Sequence, residues 1–293
     1  MSAMIRRIAL GTVGRTPVGL RSWVYRHPRI WHPLARVIGR LVPHDQITIL
    51  DIRVGPNAGM KLAANRATPR YYWLDGNYEA DVVRQLREWV RPGMVVADVG
   101  AHVGFMAMYL AKQVGPGGAV LSFEPSPAAM AQLRQNVEIN RLTQVTPMQI
   151  ALSDAAGQAR FIVRPYSTTS GLARGGDSDG NSIEVRMERL DDVVFAAGGT
   201  QRLDVVKIDV EGSEAAVLRG AARVLAELRP NLLIEVHNAA ALADCLSQLR
   251  AARYEVIALH PDPYYEVVLR DPAAAQGGDA AAFAINHLRC LPR

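Results

Sequence analysis

An apolar strand that runs into a glycine turn and straight on into a helix constrains the fold of this chain more than any other segment. It reads Val95-Val96-Ala97-Asp98-Val99-Gly100-Ala101-His102-Val103-Gly104-Phe105. A buried strand followed at once by a helix packs that helix back onto its own sheet. The pattern repeats downstream. Strands are expected over 94–99, 119–123, 145–152, 204–210, 231–236 and 254–259, with a last one over 281–285. Helices are expected over 104–114, 127–140, 213–228 and 239–252, the third stopped by Pro230. This alternation predicts an α/β fold, a doubly wound, mostly parallel sheet covered on both faces.

Upstream, Ile47, Ile49 and Ile52 lie in an extended run, and Gly55-Pro56-Asn57-Ala58-Gly59 is turn chemistry. Residues 46–65 therefore read as a β-hairpin. A loop over 66–77 leads to an amphipathic helix from Tyr78 to Val90, ended by Arg91-Pro92-Gly93. Residues 155–190 interrupt the alternation. Arg160 to Val163 and Ile183 to Arg186 flank a Ser/Thr/Gly/Asp loop over 167–182, an inserted hairpin with its tip near the rim of a site. The expected organisation is a basic N-terminal helical segment and hairpin over 1–70. A main domain over 71–293 follows and carries the insertion.

Apolar residues at 49% and charged residues at 21% exclude wholesale disorder. Two cysteines, Cys245 and Cys290, give neither a disulfide framework nor zinc-ligand spacing, so a reducing cytoplasm is expected. No apolar run reaches the ~18–20 residues of a membrane span, and the N-terminus lacks a signal-peptide core. The net charge of +5 is uneven: Arg6, Arg7, Arg15, Arg21, Arg26, Arg29, Arg36 and Arg40 all precede the first acid, Asp45. Trp23 and Trp31 are interleaved with them. Such a segment packs on the main domain with its arginines in water, or lies against the inner face of a membrane, peripheral to it. Nucleic acid is not expected, because these aromatics sit at helical spacing rather than on a strand platform.

Around the glycine turn, Gly100 lets backbone approach a ligand and Gly104 lets the helix start close to the sheet. The next strand ends in Glu124, about 20 residues after the loop, where a carboxylate accepts from two ribose hydroxyls. Asp98 at the strand end suits a ligand that carries an ammonium and would repel a pyrophosphate on the helix N-terminus. S-adenosylmethionine has an amino group and a sulfonium and no phosphate, so these acids favour it over NAD. Asp98 as a mere orderer of the loop is the plainer alternative.

These segments resemble class I methyltransferases and, more closely, the FkbM family. The resemblance rests on Gly76-Asn77-Tyr78-Glu79, on Asp98 to Phe105, on Phe123-Glu124-Pro125-Ser126 followed by a helix with Asn136 and Asn140, and on Lys207-Ile208-Asp209-Val210-Glu211-Gly212-Ser213-Glu214. It implies a seven-stranded Rossmann-like sheet, S-adenosyl-L-methionine as cofactor, and methyl transfer. It places Gly100, Ala101 and His102 along the methionine moiety with Asp98 near the amino group, and Tyr78 and Glu79 closing over that end. Glu124 holds the ribose, Pro125 and Ser126 shape the adenine slot, and Ala151 offers backbone to the adenine edge. Gly104, Phe105 and Asp209 complete the expected contacts. His102 departs from the family, which more often has Asn there.

Lys207 and Asp209, two apart on a strand, point the same way. Asp209 is expected to orient the acceptor or the methyl end, and His237 is the candidate base. Lys207 is either catalytic or the buried partner of a carboxylate. Asp209, Glu211, Glu235 and His237 could converge on a metal, but no local spacing demands one and none is expected. The expected acceptor is a hydroxyl on a sugar, glycolipid or secondary metabolite. No Asn-Pro-Pro-Tyr-like motif for base amino groups stands at the fourth strand end. An NAD-dependent oxidoreductase shares the ribose carboxylate but lacks the Gly-x-Gly-x-x-Gly loop. A non-catalytic scaffold with a retained pocket is the third alternative.

Overall fold

The computed structural model describes residues 47–65, 68, 78–163, 170–173, 181–260 and 286–293, together with Leu20 and Leu269. The N-terminal segment before residue 45, most of the 66–77 loop including Gly76-Asn77, the tip of the insertion and the strand expected at 281–285 lie outside the described residues.

The strands are β1 (Thr48–Asp51), β2 (Lys61–Ala64), β3 (Val95–Val99), β4 (Ala119–Phe123), β5 (Val145–Met148), β6 (Ala151–Leu152), β7 (Gly157–Ile162), β8 (Gly171–Leu172), β9 (Ser182–Glu188), β10 (Val205–Ile208), β11 (Asn231–Val236), β12 (Tyr254–Ala258) and β13 (Asn286–Pro292). The helices are α1 (Ala80–Trp89), α2 (Phe105–Val114), α3 (Pro127–Ile139), α4 (Leu190–Phe195), α5 (Glu214–Arg219) and α6 (Ala239–Ala251).

Seven strands make one sheet in the order β12-β13-β11-β10-β3-β4-β5. From β11 to β5 neighbours are parallel, and β13 runs antiparallel between β11 and β12. Side-chain alternation divides the core. Val96, Val120, Val205 and Leu233 pack with α1, α2 and the β1–β2 hairpin. Ala97, Val99, Leu121, Phe123, Val206, Ile208, Leu232 and Ile234 pack with α4, α5 and α6. Both faces are covered, so the parallel strands are apolar throughout.

The hairpin is clamped by α3. Asn136 accepts from Ala63 N at 2.6 Å and donates to Val103 O at 2.7 Å. One turn on, Asn140 accepts from Lys61 N and donates back to Lys61 O, at 2.8 and 2.7 Å. Asn136 is fully buried, so Asn136→Ala strands two polar groups and should cost roughly 2–4 kcal/mol in urea unfolding. The partly exposed Asn140→Ala should cost under about 1 kcal/mol.

Two elements differ from expectation. The 145–152 strand splits: β5 stays in the main sheet, while Ala151–Leu152 pairs with β9 in a second sheet of order β6-β9-β7-β8. The 213–228 helix breaks at Gly220, where a Cβ would lie 1.9 Å from Ser153 O. Asp191 Oδ1 then caps a new π-helical turn, Val224–Leu228, at Val224 N. The described terminal strand covers Asn286–Pro292, and the strand expected at 281–285 falls outside the described residues. The inserted hairpin is present as β7 and β9, antiparallel from Gly157↔Met187 to Ile162↔Ser182. No described helix is long and apolar enough to cross a membrane.

Candidate active site

A cavity of about 360 Å³ opens beyond the carboxyl ends of β3, β4, β10 and β11, the place where a doubly wound sheet binds ligands. The glycine turn forms its floor. Gly100 has φ +83°, and a Cβ there would sit 1.8 Å from Asp209 O. Only glycine lets β3 pass that close to the end of β10. Gly100 N and Ala101 N both donate to Phe123 O, at 3.0 and 2.9 Å. His102 then takes a left-handed φ of 50° and donates its N–H to Glu124 Oε2 at 2.9 Å. Ser126 N donates to the other oxygen at 2.8 Å.

Glu124 is thus buried at the end of β4, each oxygen held by one backbone N–H. Burial pushes its pKa to about 7 against those two hydrogen bonds. Asp98 is fully buried, and neither oxygen meets a donor at good hydrogen-bond geometry among the described residues. Burial raises its pKa to about 6, with Lys207 opposing. Burial lowers His102 to about 4, so its imidazole is neutral. Phe123, Ile150, Ala151, Leu152 and Phe161 give the Glu124 end an apolar wall. Ser170, Gly171 and Leu172 bring the insertion to the rim.

The opposite end is ionic. Lys207 Nζ lies 3.0 Å from Asp209 Oδ2, its side chain 4% exposed. Burial alone would discharge this ammonium, but Asp209, Glu79 and Asp98 outweigh that and raise its pKa. Burial likewise pushes Asp209 up, and Lys207 and His237 more than offset it, holding the carboxyl below its usual range. Burial raises the Glu79 carboxyl and brings Glu211 to about 7. Tyr78 packs edge-on against Phe105, centroids 5.3 Å apart.

Of the expected residues, Tyr78, Glu79, Asp98, Gly100, Ala101, His102, Phe105, Glu124, Pro125, Ala151, Lys207 and Asp209 line this one cavity. Three do not. Gly104 faces α3, where a Cβ would sit 3.0 Å from Leu133 Cγ, so glycine is required there by helix packing. The side chain of Ser126 caps α3 by accepting from Ala129 N, and only its backbone serves Glu124. His237 lies behind the cavity wall. Its Nδ1 is 2.7 Å from Glu214 Oε1. Burial would discharge the ring, but Glu214 and Asp209 raise its pKa to about 9. The ring thus sits among four carboxylates, those of Asp209, Glu211, Glu214 and Glu235. Sequence reasoning missed His287, which also lines the cavity. It stands opposite Glu235 in the β11–β13 register, with Nε2 3.0 Å from Glu235 Oε2. No local motif marks it.

Residues 98–256 match the family model of the methyltransferase FkbM domain, more than half of the chain. The chain belongs to the FkbM methyltransferase family. It is 33% identical over 206 residues to the 31-O-demethyl-FK506 methyltransferase FkbM of Streptomyces tacrolimicus, covering 60% of this chain and 78% of that one. It is 30% identical over 162 residues to the hexuronic acid methyltransferase AglP of Haloferax volcanii, covering 54% of this chain and 62% of that one. It is 29% identical over 157 residues to the 2-O-methyltransferase NoeI of Sinorhizobium fredii, covering 47% and 62% respectively. The matches thus span less than two thirds of the last two relatives.

S-adenosylmethionine is the cofactor that goes with the FkbM family, and the residues present fit it. The buried carboxylate of Asp98 is the complement of an ammonium. Glu124 retains acceptor capacity for a pair of hydroxyls. Two consequences are measurable by calorimetry. Glu124→Gln should weaken cofactor binding about 10–100-fold, the worth of charge-assisted hydrogen bonds. In the unaltered FkbM-family chain, affinity should fall as pH drops below about 7, because protonation removes the acceptor. Stability of the ligand-free protein should move the other way. A carboxyl whose folded pKa lies above the ordinary 4.5 contributes stability as pH falls from about 7 towards 4.5 and loses it on the way up.

Proposed function

We propose that this methyltransferase transfers the methyl group of S-adenosylmethionine to a hydroxyl of a sugar, glycolipid or secondary metabolite. The observation that carries this reading is the lining of the cavity beyond the strand ends. One end carries the ribose-type acceptor Glu124 and an apolar wall, and the other ends in Asp209, Glu211 and Glu235. Carboxylates only accept hydrogen bonds. A mouth so lined favours a polyol and disfavours an anionic acceptor. The names of two relatives, the 31-O-demethyl-FK506 methyltransferase FkbM and the 2-O-methyltransferase NoeI, support the same class.

The bound cofactor supplies an electrophilic methyl on a sulfonium. The chain's own residues do the aligning, which can be worth ~7–11 kcal/mol when attack is well oriented. Glu124 fixes the nucleoside end. Lys207 keeps Asp209 ionised and aimed, and Asp209 accepts the hydrogen bond of the acceptor hydroxyl and takes its proton as the oxygen–methyl bond forms and the sulfur–methyl bond breaks. Tyr78 and Phe105, packed edge to face, limit water at the floor.

Methyl-labelled cofactor incubated with panels of glycosides, glycolipids, carboxylic acids and amines tests this. Label in a base-stable ether on a hydroxyl is expected. Label confined to base-labile esters or to amines would contradict it.

A further inference from the structure

Three carboxylates converge on one imidazole where β10 and β11 end. His237 Nε2 lies 3.6 Å from Asp209 Oδ1, 3.6 Å from Glu211 Oε2 and 3.7 Å from Glu235 Oε1. Each separation is too long for a hydrogen bond, yet the His237 side chain is only 8% exposed. These are spacings of atoms that share an ion: with arms of about 2.0–2.2 Å, neighbouring donors stand roughly 3–3.6 Å apart. One donor atom each from Asp209, Glu211 and His237 lie within 4.8 Å of one another.

What stands behind the histidine is an independent observation. Glu214 is fully buried, and its Oε1 sits 2.7 Å from His237 Nδ1. The same oxygen accepts from Gly212 N at 2.6 Å, which anchors it without the histidine's help. A buried carboxylate on the far ring nitrogen is the usual support of a metal-bound imidazole, since it fixes the ring's orientation, and an ion entering at Nε2 displaces the proton that nitrogen carries in the ion-free protein. Asp209 is divided in the same sense. Its Oδ2 belongs to Lys207, while Oδ1 faces His237.

We propose that Asp209, Glu211 and His237 form a binding site for one divalent transition-metal ion, best matched by Mn²⁺. One imidazole nitrogen with carboxylate oxygens suits Mn²⁺ better than Mg²⁺ or Ca²⁺, which prefer all-oxygen sets, and no thiolate is present to select softer ions. Glu235 lies close enough to add an oxygen. Asp209 and Glu211 also line the cavity, so open coordination positions face the acceptor end, where a hydroxyl is a fitting ligand. The ion site stands on its own geometry and does not depend on the acceptor class.

Full-length protein stripped with a chelator is titrated with Mn²⁺ near neutral pH, free ion being read by electron paramagnetic resonance. The expected result is one ion per chain with Kd on the order of 100 µM or below. Pulsed resonance on the bound ion should show coupling to one imidazole nitrogen. His237→Ala and Glu211→Gln should each weaken binding about tenfold or more, while Glu124→Gln, at the nucleoside end, should bind Mn²⁺ as the parent does. No one-to-one binding below about 1 mM would overturn the site. So would a bound ion without nitrogen coupling, read on the unsubstituted protein, or affinity unchanged in both site variants.

Discussion

Gly100→Ala is expected to cost more than about 4 kcal/mol of folding stability, beyond the common range for single substitutions, and to abolish cofactor binding. The added Cβ would stand 1.8 Å from Asp209 O, and the backbone there has φ +83°. Neither obstacle is a flexible side chain that can swing away. Asp209 N donates to Val99 O at 3.0 Å, so relieving the contact means prying β10 from β3 at the floor of the site. Urea unfolding and calorimetry check this together. A midpoint near that of the parent would show that the close approach of the two strands is not a feature of the folded protein.

Lys207→Met should be nearly as severe, at about 3–5 kcal/mol, because it removes a buried cation from among several carboxylates. The partly exposed Asp209 loses its partner, and the half-buried Glu79 and fully buried Asp98 lose the same compensating charge. The double change Lys207→Met with Asp209→Leu should regain most of that loss, since an apolar pair can replace a buried ion pair at little cost. The double variant should nonetheless remain inactive, because Asp209 is the group proposed to meet the acceptor. Additive losses in unfolding would mean that Lys207 and Asp209 are not coupled. Activity in the double variant would remove Asp209 from the proposed chemistry.

What could be read from sequence follows from where each choice is decided. β4 and β11 occupy 119–123 and 231–236 as expected, because continuous apolar runs between turn residues fix a central parallel strand locally. The glycine turn and Glu124 were legible because their spacing is itself the binding geometry. The split at 149–150 was not. Val145 to Leu152 reads as one strand, and only the arrival of β9 beside Ala151 divides it. The break at Gly220 is likewise tertiary, set by Ser153 O and the capping carboxylate of Asp191. Gly104 shows that the same residue type has two uses: Gly100 yields to an approaching backbone, Gly104 to a leucine of α3. His287 enters through strand register alone, and the carboxylates gathered around His237 come from residues well separated along the chain.

The central claim is that this cavity holds S-adenosylmethionine with Glu124 on its ribose. Calorimetric titration of the full chain with S-adenosylmethionine, S-adenosylhomocysteine and NAD tests it most directly. The account predicts one-to-one binding of the first two in the micromolar range, and none of NAD, whose pyrophosphate would meet the buried Asp98. Binding of NAD with no response to the two sulfur ligands would contradict it.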